Sequence, residues 1–209
     1  MALLPVDMDA TPDDIVNLFA VDAAVRAAVG LDYHRPTSAA LHWVGDEDMW
    51  MALVRPGDGR ALLAGWHHEF SLTEGSGRGG EAGTDLVGDA PGWWRRGVEH
   101  ARANDGYLGF LYGWDGTRWW RLDQPVDDGF DPELFPATPL AMRDIIDGLA
   151  DDTLLDAPDH DDIDALVTAG AELTAEQLAA VLHAPDGWPE VDIEAGVRAA
   201  REFSANVPA

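Results

Sequence analysis

The sequence of 209 residues contains no cysteine, no lysine and only four serines. The absence of cysteine excludes disulfide bonds, zinc sites built from thiolates, and cysteine nucleophiles. None of the four serines lies in the G-x-S-x-G pattern of a nucleophile elbow, so no motif for serine hydrolysis is present. No apolar run approaches the ~20 residues that a transmembrane helix needs.

The amino terminus, MALLPVDMDA, lacks the basic region and the long apolar core of a secretory signal. We therefore expect a cytoplasmic protein. Arginine in place of lysine, alanine-rich helices and few isoleucines are typical of a GC-rich bacterial genome. The hydrophobic fraction of 46% predicts a folded core despite the high charge.

Charge is the strongest feature of the composition. The chain has 39 acidic residues and 13 arginines, which gives a formal net charge of −26 at pH 7. This charge opposes binding to nucleic acid or to an anionic membrane, because both ligands need clustered cations. It favours fast capture of a basic protein partner. The alternative is adaptation to a salty cytoplasm, in which the acidity of a protein does not indicate its function.

The first third of the chain is predicted to form one helix followed by three strands. Thr11 caps the helix, and Pro12 occupies its first position, where a missing amide hydrogen costs nothing. Strand-like segments at 38–44, 49–55 and 60–70 are separated by short loops. Short loops between strands indicate an antiparallel meander.

The register of this meander follows from closing its loops. If the chain turns within the loops 45–48 and 56–59, Trp43 lies opposite Trp50 and Leu53 lies opposite Leu62. Apolar side chains then occupy both faces of the three strands. A sheet of this kind must be covered on both sides, or one side must be an interface.

The rest of the chain is predicted to contain further helices and one hairpin. Capping residues and apolar spacing place helices at 92–104, 138–149, 163–168, 175–183 and 193–204. The hairpin joins strands at 107–113 and 117–122. We predict an α+β fold in which an antiparallel sheet, the meander plus this tryptophan-rich hairpin, is flanked by helices. An acidic stretch at 151–164 separates an α+β domain at 1–150 from a small helical appendage at 151–209.

The tryptophan-rich hairpin is the first candidate binding site. Its turn is predicted at Asp115-Gly116, a dipeptide that suits a two-residue turn. Alternation along the strands places four side chains on one face: Tyr112, Trp114, Trp119 and Arg121. Leu111 and Trp120 lie on the other face. Aromatic rows of this kind bind partner proteins or ligands. The alternative is that the row packs in the core beneath the helices.

The segment containing His67 and His68 is the second candidate. Neighbouring residues of a strand point to opposite faces, so these two histidines are not expected to share a metal ion. Either histidine, together with Glu69, remains a candidate general base or ligand contact beside the glycine-rich loop. Residues 75–80 of that loop match G-x-G-x-x-G, but the strand before them belongs to an antiparallel meander. A dinucleotide site needs a parallel strand-to-helix turn there, so no nucleotide cofactor is predicted.

The acidic segments do not predict a metal site. Neither 123–133 nor 151–164 offers acids at the positions of a calcium-binding loop, with glycine and glutamate in the required places. A solvated, mutually repelling surface is the simpler interpretation. No catalytic residue, metal or cofactor is therefore assigned.

Two functions remain from the sequence. The first is a non-catalytic interaction protein that inhibits a basic protein. The order of helix, antiparallel sheet, tryptophan-rich hairpin and helices resembles small acidic bacterial immunity proteins, and this resemblance implies an immunity- or antitoxin-like role. The second is a small enzyme or ligand-binding protein with a pocket between the glycine-rich loop, His67, His68 and the hairpin. Composition leaves the oligomeric state open.

Overall fold

The chain divides into two compact units whose boundaries differ from the predicted division at residue 150. The computed structural model describes residues 2–37, 39–45, 49–73, 85–102, 107–124, 128–153, 157–183 and 191–205. The first unit, here the sheet unit, comprises Met1–Pro12, Thr37–Asp131 and Pro208–Ala209; the second, the helical unit, comprises Asp13–Pro36 and Pro132–Val207. The first long helix therefore belongs to the same unit as the C-terminal helices.

The sheet unit contains one antiparallel sheet of six strands, which confirms the α+β fold. Its strands are β1 (Leu3–Pro5), β2 (Leu41–Val44), β3 (Trp50–Gly57), β4 (Arg60–Trp66), β5 (Phe110–Trp114) and β6 (Trp119–Leu122), in the spatial order β1-β6-β5-β4-β3-β2. The meander and the hairpin are thus joined edge to edge through β4 and β5. The short β1 was not predicted; it pairs with β6 through Leu3 opposite Leu122.

The predicted register of the meander was wrong by one residue in both hairpins. Trp43 lies opposite Met51, because the amide of Gly45 donates to the Met49 carbonyl at 3.0 Å, so that Gly45 rather than Val44 pairs with Met49. Leu53 lies opposite Leu63, and a bulge between Val54 and Gly57 absorbs the difference. A one-residue shift moves side chains to the other face. Both faces nevertheless remain largely apolar and buried, because β3 from Met51 to Val54 and β4 from Ala61 to Trp66 are apolar and buried at every position.

Helix α2 (Gly92–Ala101) covers one face of the sheet. Trp94, which is 1% exposed, lies against the backbone of Gly113 on β5, where a Cβ atom would overlap the indole ring. Gly97 of α2 makes a similarly close approach to Leu62 on β4. At Gly113 the rigid indole leaves no room for a side chain, whereas at Gly97 a side chain would require the end of Leu62 to move. Trp94 packs on Gly113 and Leu62 on Gly97, and these two contacts between a large and a small residue set the position of α2 on the sheet.

The helical unit is built around α1 (Pro12–Ala28), most of whose side chains are buried. The other helices of the unit are α3 (Pro139–Asp152), α4 (His160–Ala169), α5 (Ala175–Val181) and α6 (Ile193–Ala205). Gly196 allows α6 to approach the backbone of α1. The predicted capping box of α5 is present, because Thr174 and Gln177 exchange side-chain-to-backbone hydrogen bonds. None of the helices within the described ranges is long and apolar enough to cross a membrane.

Replacing Gly113 by alanine tests the contact between α2 and the sheet. The new methyl group overlaps the Trp94 indole, so we expect Gly113→Ala to lower the free energy of unfolding by about 2 kcal/mol. Gly148→Ala in α3 is the matched control: its Cβ meets nothing within 4 Å, and alanine stabilises an exposed helical position by roughly 0.5–1 kcal/mol. Denaturant unfolding measures both values. Equal effects of the two substitutions would contradict this packing.

Candidate functional site

The β5–β6 hairpin has the predicted faces but a different turn. Trp114 lies opposite Trp119 and Tyr112 opposite Arg121, two residues away from the predicted pairing. The turn spans four residues, and the amide of Asp115 donates to the Arg118 carbonyl at 3.2 Å. Because the shift is an even number of residues, every side chain stays on its predicted face.

Asp115 organises this turn through its carboxylate. One oxygen accepts hydrogen bonds from the Thr117 amide and hydroxyl at 2.8 and 2.7 Å, and from the Arg118 amide at 3.1 Å. The other accepts from the indole nitrogen of Trp120 at 2.7 Å. The hydrogen bond from the Thr117 hydroxyl lowers the pKa of Asp115 most, and those from Trp120 and the two amides lower it further. Asp115 therefore acts as a structural anion at neutral pH.

The predicted aromatic row is only partly accessible. Trp119 is 0% exposed, and its indole nitrogen donates to the Ala10 carbonyl at 2.7 Å. Tyr112 is also buried, whereas Trp114 is half-buried with its ring 5.4 Å from that of Trp119. The side chain of Arg121 is 37% exposed. Trp114 and Arg121 are thus the members that a partner can reach, and the role of the row in binding stays a prediction.

A buried carboxylate that the sequence did not indicate lies beneath this row. Asp128 is 4% exposed and accepts a hydrogen bond from the Tyr112 hydroxyl at 2.8 Å. Gln124 donates to the same oxygen at 3.3 Å, and Arg121 lies 3.7 Å away. The amide of Phe130 donates to the second oxygen at 3.2 Å. The acidic segment 123–133 predicted only a solvated surface, but the folded chain brings Asp128 back against Tyr112 of β5.

The two adjacent histidines lie in a turn rather than in a strand. Because β4 ends at Trp66, the rings of His67 and His68 do not point to opposite faces; they stack, with centroids 5.2 Å apart and planes at 12°. His67 is buried, and its Nδ1 accepts a hydrogen bond from the Glu69 amide at 3.1 Å. Half-buried His68 has Nε2 3.9 Å from the Glu69 carboxylate. Their role as general base or ligand contact stays a prediction.

The glycine-rich motif at 75–80 lies outside the described residues. Within the described ranges, no three histidine, aspartate or glutamate side chains lie close enough to hold one metal ion.

The lowered carboxyl pKa values belong to groups held in turns or ion pairs. Besides Asp115, these are Asp58 with Arg60, Asp85 with the amides of Val87 and Gly88, and Asp164 with Arg143.

No protein-family model matches the sequence, no curated protein is similar to it, and no solved structure matches its fold. What the protein can bind therefore follows from its own side chains. Three large apolar side chains near the end of the sheet opposite the Asp115 turn are exposed: Phe70, Leu72 and Tyr107, with exposed fractions of 48%, 46% and 57%. None of them was predicted as a binding residue.

Removal of the Asp115 carboxylate tests its structural role. We expect Asp115→Ala to lower Tm by roughly 2–4 °C at neutral pH, because four hydrogen bonds are lost. The pKa of Asp115 is lower in the folded than in the unfolded protein. Its carboxylate therefore stabilises the fold fully above the unfolded pKa of about 3.9, and this stabilisation is lost as the pH falls through the pKa of the folded protein. The difference in Tm between the wild type and Asp115→Ala should therefore narrow below about pH 4.

Exposed Asp123 supplies the control for charge removal. Asp123→Ala deletes the same charge without the turn hydrogen bonds and should leave Tm within about 1 °C of the wild type. If the difference in Tm between the wild type and Asp115→Ala stays constant down to pH 2, the proposed role of the Asp115 carboxylate is contradicted.

Tyr112→Phe tests whether the buried hydroxyl is structural. Its loss removes the hydrogen bond to the buried Asp128 carboxylate, and we expect a cost of about 1–2 kcal/mol in the free energy of unfolding. Tyr107→Phe is the matched control, because its ring is 57% exposed and water replaces its hydroxyl contacts. Denaturant titrations compare the two variants. Equal stability of both would show that the Tyr112 hydroxyl contributes nothing.

Proposed function

We propose that this protein is a non-catalytic binding protein that captures a basic protein partner, as an immunity- or antitoxin-type inhibitor does. The observation that carries the proposal is the distribution of charge. The helical unit has 21 acidic residues against five arginines, a net charge of −16, and the sheet unit has 18 against eight, a net charge of −10. The acidic residues of the helical unit thus outnumber its arginines by 16.

The hairpin of α3 and α4 has the densest negative charge. Eight aspartates are found among its described residues: Asp144, Asp147, Asp151, Asp152, Asp159, Asp161, Asp162 and Asp164. Seven are exposed, and one arginine, Arg143, lies among them in a close pair with Asp164. A surface of one sign attracts an oppositely charged protein over about a Debye length and raises its association rate. This arrangement supports recognition of a cationic surface.

A second candidate function is that of a small enzyme or ligand-binding protein at the His67–His68 turn. It is supported by the buried His67 ring, whose Nδ1 is engaged by the Glu69 amide, stacked on the more accessible His68. A fixed imidazole beside an accessible one is suited to proton transfer or to ligand contact. Binding of an uncharged small molecule, unaffected by salt, would favour this function.

Capture from an extract of the native cells tests the first function. Immobilised protein should retain a basic protein at about 0.05 M salt and release most of it at about 0.3 M, because screening weakens exposed charge pairs. The captured protein is identified, purified and rebound to exclude indirect retention. The variant Asp144→Asn/Asp151→Asn/Asp161→Asn/Asp162→Asn should bind it at least roughly fivefold more slowly, since association depends on the local field.

The control removes four charges from exposed acids of the sheet unit: Asp7→Asn/Asp9→Asn/Glu99→Gln/Asp123→Asn. This variant has the same net charge as the first and should associate at close to the wild-type rate. Recovery of no basic protein, or equal slowing by both variants, would contradict a role for the α3–α4 surface.

A further inference from the structure

Gly148 occupies a helical position that local structure does not explain. It is exposed and lies in the interior of α3, which continues beyond it to Asp152. Its φ is not positive, so it neither ends the helix nor forms a turn. Glycine destabilises a helix interior relative to alanine, because it loses more conformational freedom on folding. A glycine at this position therefore needs a reason in packing.

The comparable glycines of the protein do have such a reason. Three glycines lie beyond the first residue of a described α-helix: Gly97, Gly148 and Gly196. A Cβ atom at Gly97 would lie 2.5 Å from the Leu62 side chain, and one at Gly196 would lie 2.6 Å from the Ala24 carbonyl oxygen. Both glycines thus let a helix approach its neighbour closely. A Cβ atom at Gly148 meets nothing within 4 Å in the described part of the chain, so the contact that Gly148 permits is not made there.

Gly148 belongs to a continuous exposed row, here called the α3 face. Its four residues follow one another at spacings of four, four and three: Leu140, Asp144, Gly148 and Asp151. Residues at these spacings lie side by side along one face of a helix, and the row covers about three turns. Leu140 is 52% exposed and forms the apolar end of the row. Half-buried Ile145, three residues before Gly148, gives the glycine an apolar border.

The charge of the α3 face is negative. Asp144 and Asp151 lie in the row, and exposed Asp152 follows it. Arg143 is the one arginine of α3, and its guanidinium is bonded to the Asp164 carboxylate of α4 at 2.6 Å. A second copy seated on the same face would bring identical aspartates together and be repelled. The complementary partner segment therefore has lysine or arginine beside its apolar side chains.

We propose that the α3 face is the docking site for a basic amphipathic helix of the protein partner, which crosses α3 at Gly148. The inference rests on the proposed function and adds the place and the geometry of the contact. The missing side chain at Gly148 lets the two helices approach, since the distance between packed helices depends on the side chains at the contact. Leu140 packs on the apolar side of the partner helix, and Asp144 and Asp151 pair with its cations.

Two synthetic peptides of equal composition probe the α3 face. Each has about 20 residues, which is enough to cover three helical turns. In the amphipathic peptide, leucines lie along one helical face and lysines border them. In the scrambled peptide, the same residues are ordered so that the leucines are scattered around the helix. The wild type should bind the amphipathic peptide roughly tenfold more tightly, because only this peptide presents apolar and basic residues in matching rows.

Gly148→Leu separates this contact from the stability of the fold. A Cβ atom there meets nothing within 4 Å in the described chain, and leucine is a better helix former than glycine, so Tm should rise. In the complex the new side chain occupies the crossing point, so the preference for the amphipathic peptide should fall to about twofold or less. Ala165→Leu is the matched control: it adds the same side chain at an exposed position of α4 and should keep the full preference.

Leu140→Ser is an independent change in the same row and should lower the preference to about threefold, because the apolar anchor is lost. Leu31→Ser is its control, since Leu31 is 40% exposed and belongs to the same unit; it should leave the preference unchanged. Circular dichroism establishes that each variant is folded.

Equal binding of the two peptides by the wild type overturns the inference, as does an unchanged preference in either Gly148→Leu or Leu140→Ser. A fall in the Tm of Gly148→Leu overturns it too, because the glycine would then serve the fold. A wild-type dimer that Gly148→Leu dissociates overturns it in favour of a second copy. If the peptides behave as expected but no basic protein is captured from extract, the proposed function fails and the α3 face stands. A captured basic protein that both variants bind as tightly as the wild type does refutes the α3 face alone.

Discussion

The contact between the Trp94 indole and the bare backbone of Gly113 is the constraint on which the sheet unit depends. It sets α2 against the middle of the sheet, and the second close approach, of Gly97 to Leu62, fixes the helix along β4. One face of β5 is thereby covered, and the hairpin turn is left in solvent. Asp115 then holds Trp120 beside this packed face through a charged hydrogen bond. Two of the hairpin tryptophans thus have structural roles, since Trp119 is buried and the indole of Trp120 is bonded to Asp115.

Negative charge dominates the composition of both units. Negative charge is spread over both units and is densest on α3 and α4, where it acts at a distance and is weakened by salt. Under the proposed function, this charge would raise the rate at which a cationic partner is met.

Much of the fold could be predicted, and the errors have a common physical origin. Periodicity and capping residues located the helices to within a few residues, and alternation assigned Tyr112 and Trp120 to the correct faces. The strand registers were displaced by one or two residues, because the length of each turn depends on hydrogen bonds such as that from Gly45 to Met49. An even displacement preserved the faces of the hairpin, whereas an odd one exchanged them in the meander.

The amino-acid sequence by itself determined the charge, the fold class, the helix caps and the apolar character of both sheet faces, since these depend on composition and on neighbours along the chain. Only the tertiary structure decided that Trp119 and Tyr112 are buried, that Asp128 lies beneath the hairpin, and that Phe70 and Leu72 face outward. Each of these outcomes depends on segments far apart in sequence, such as Ser71 and the carbonyl of Asp128. Local patterns contain no information on such distances, because burial is decided by which backbone groups meet in the folded chain.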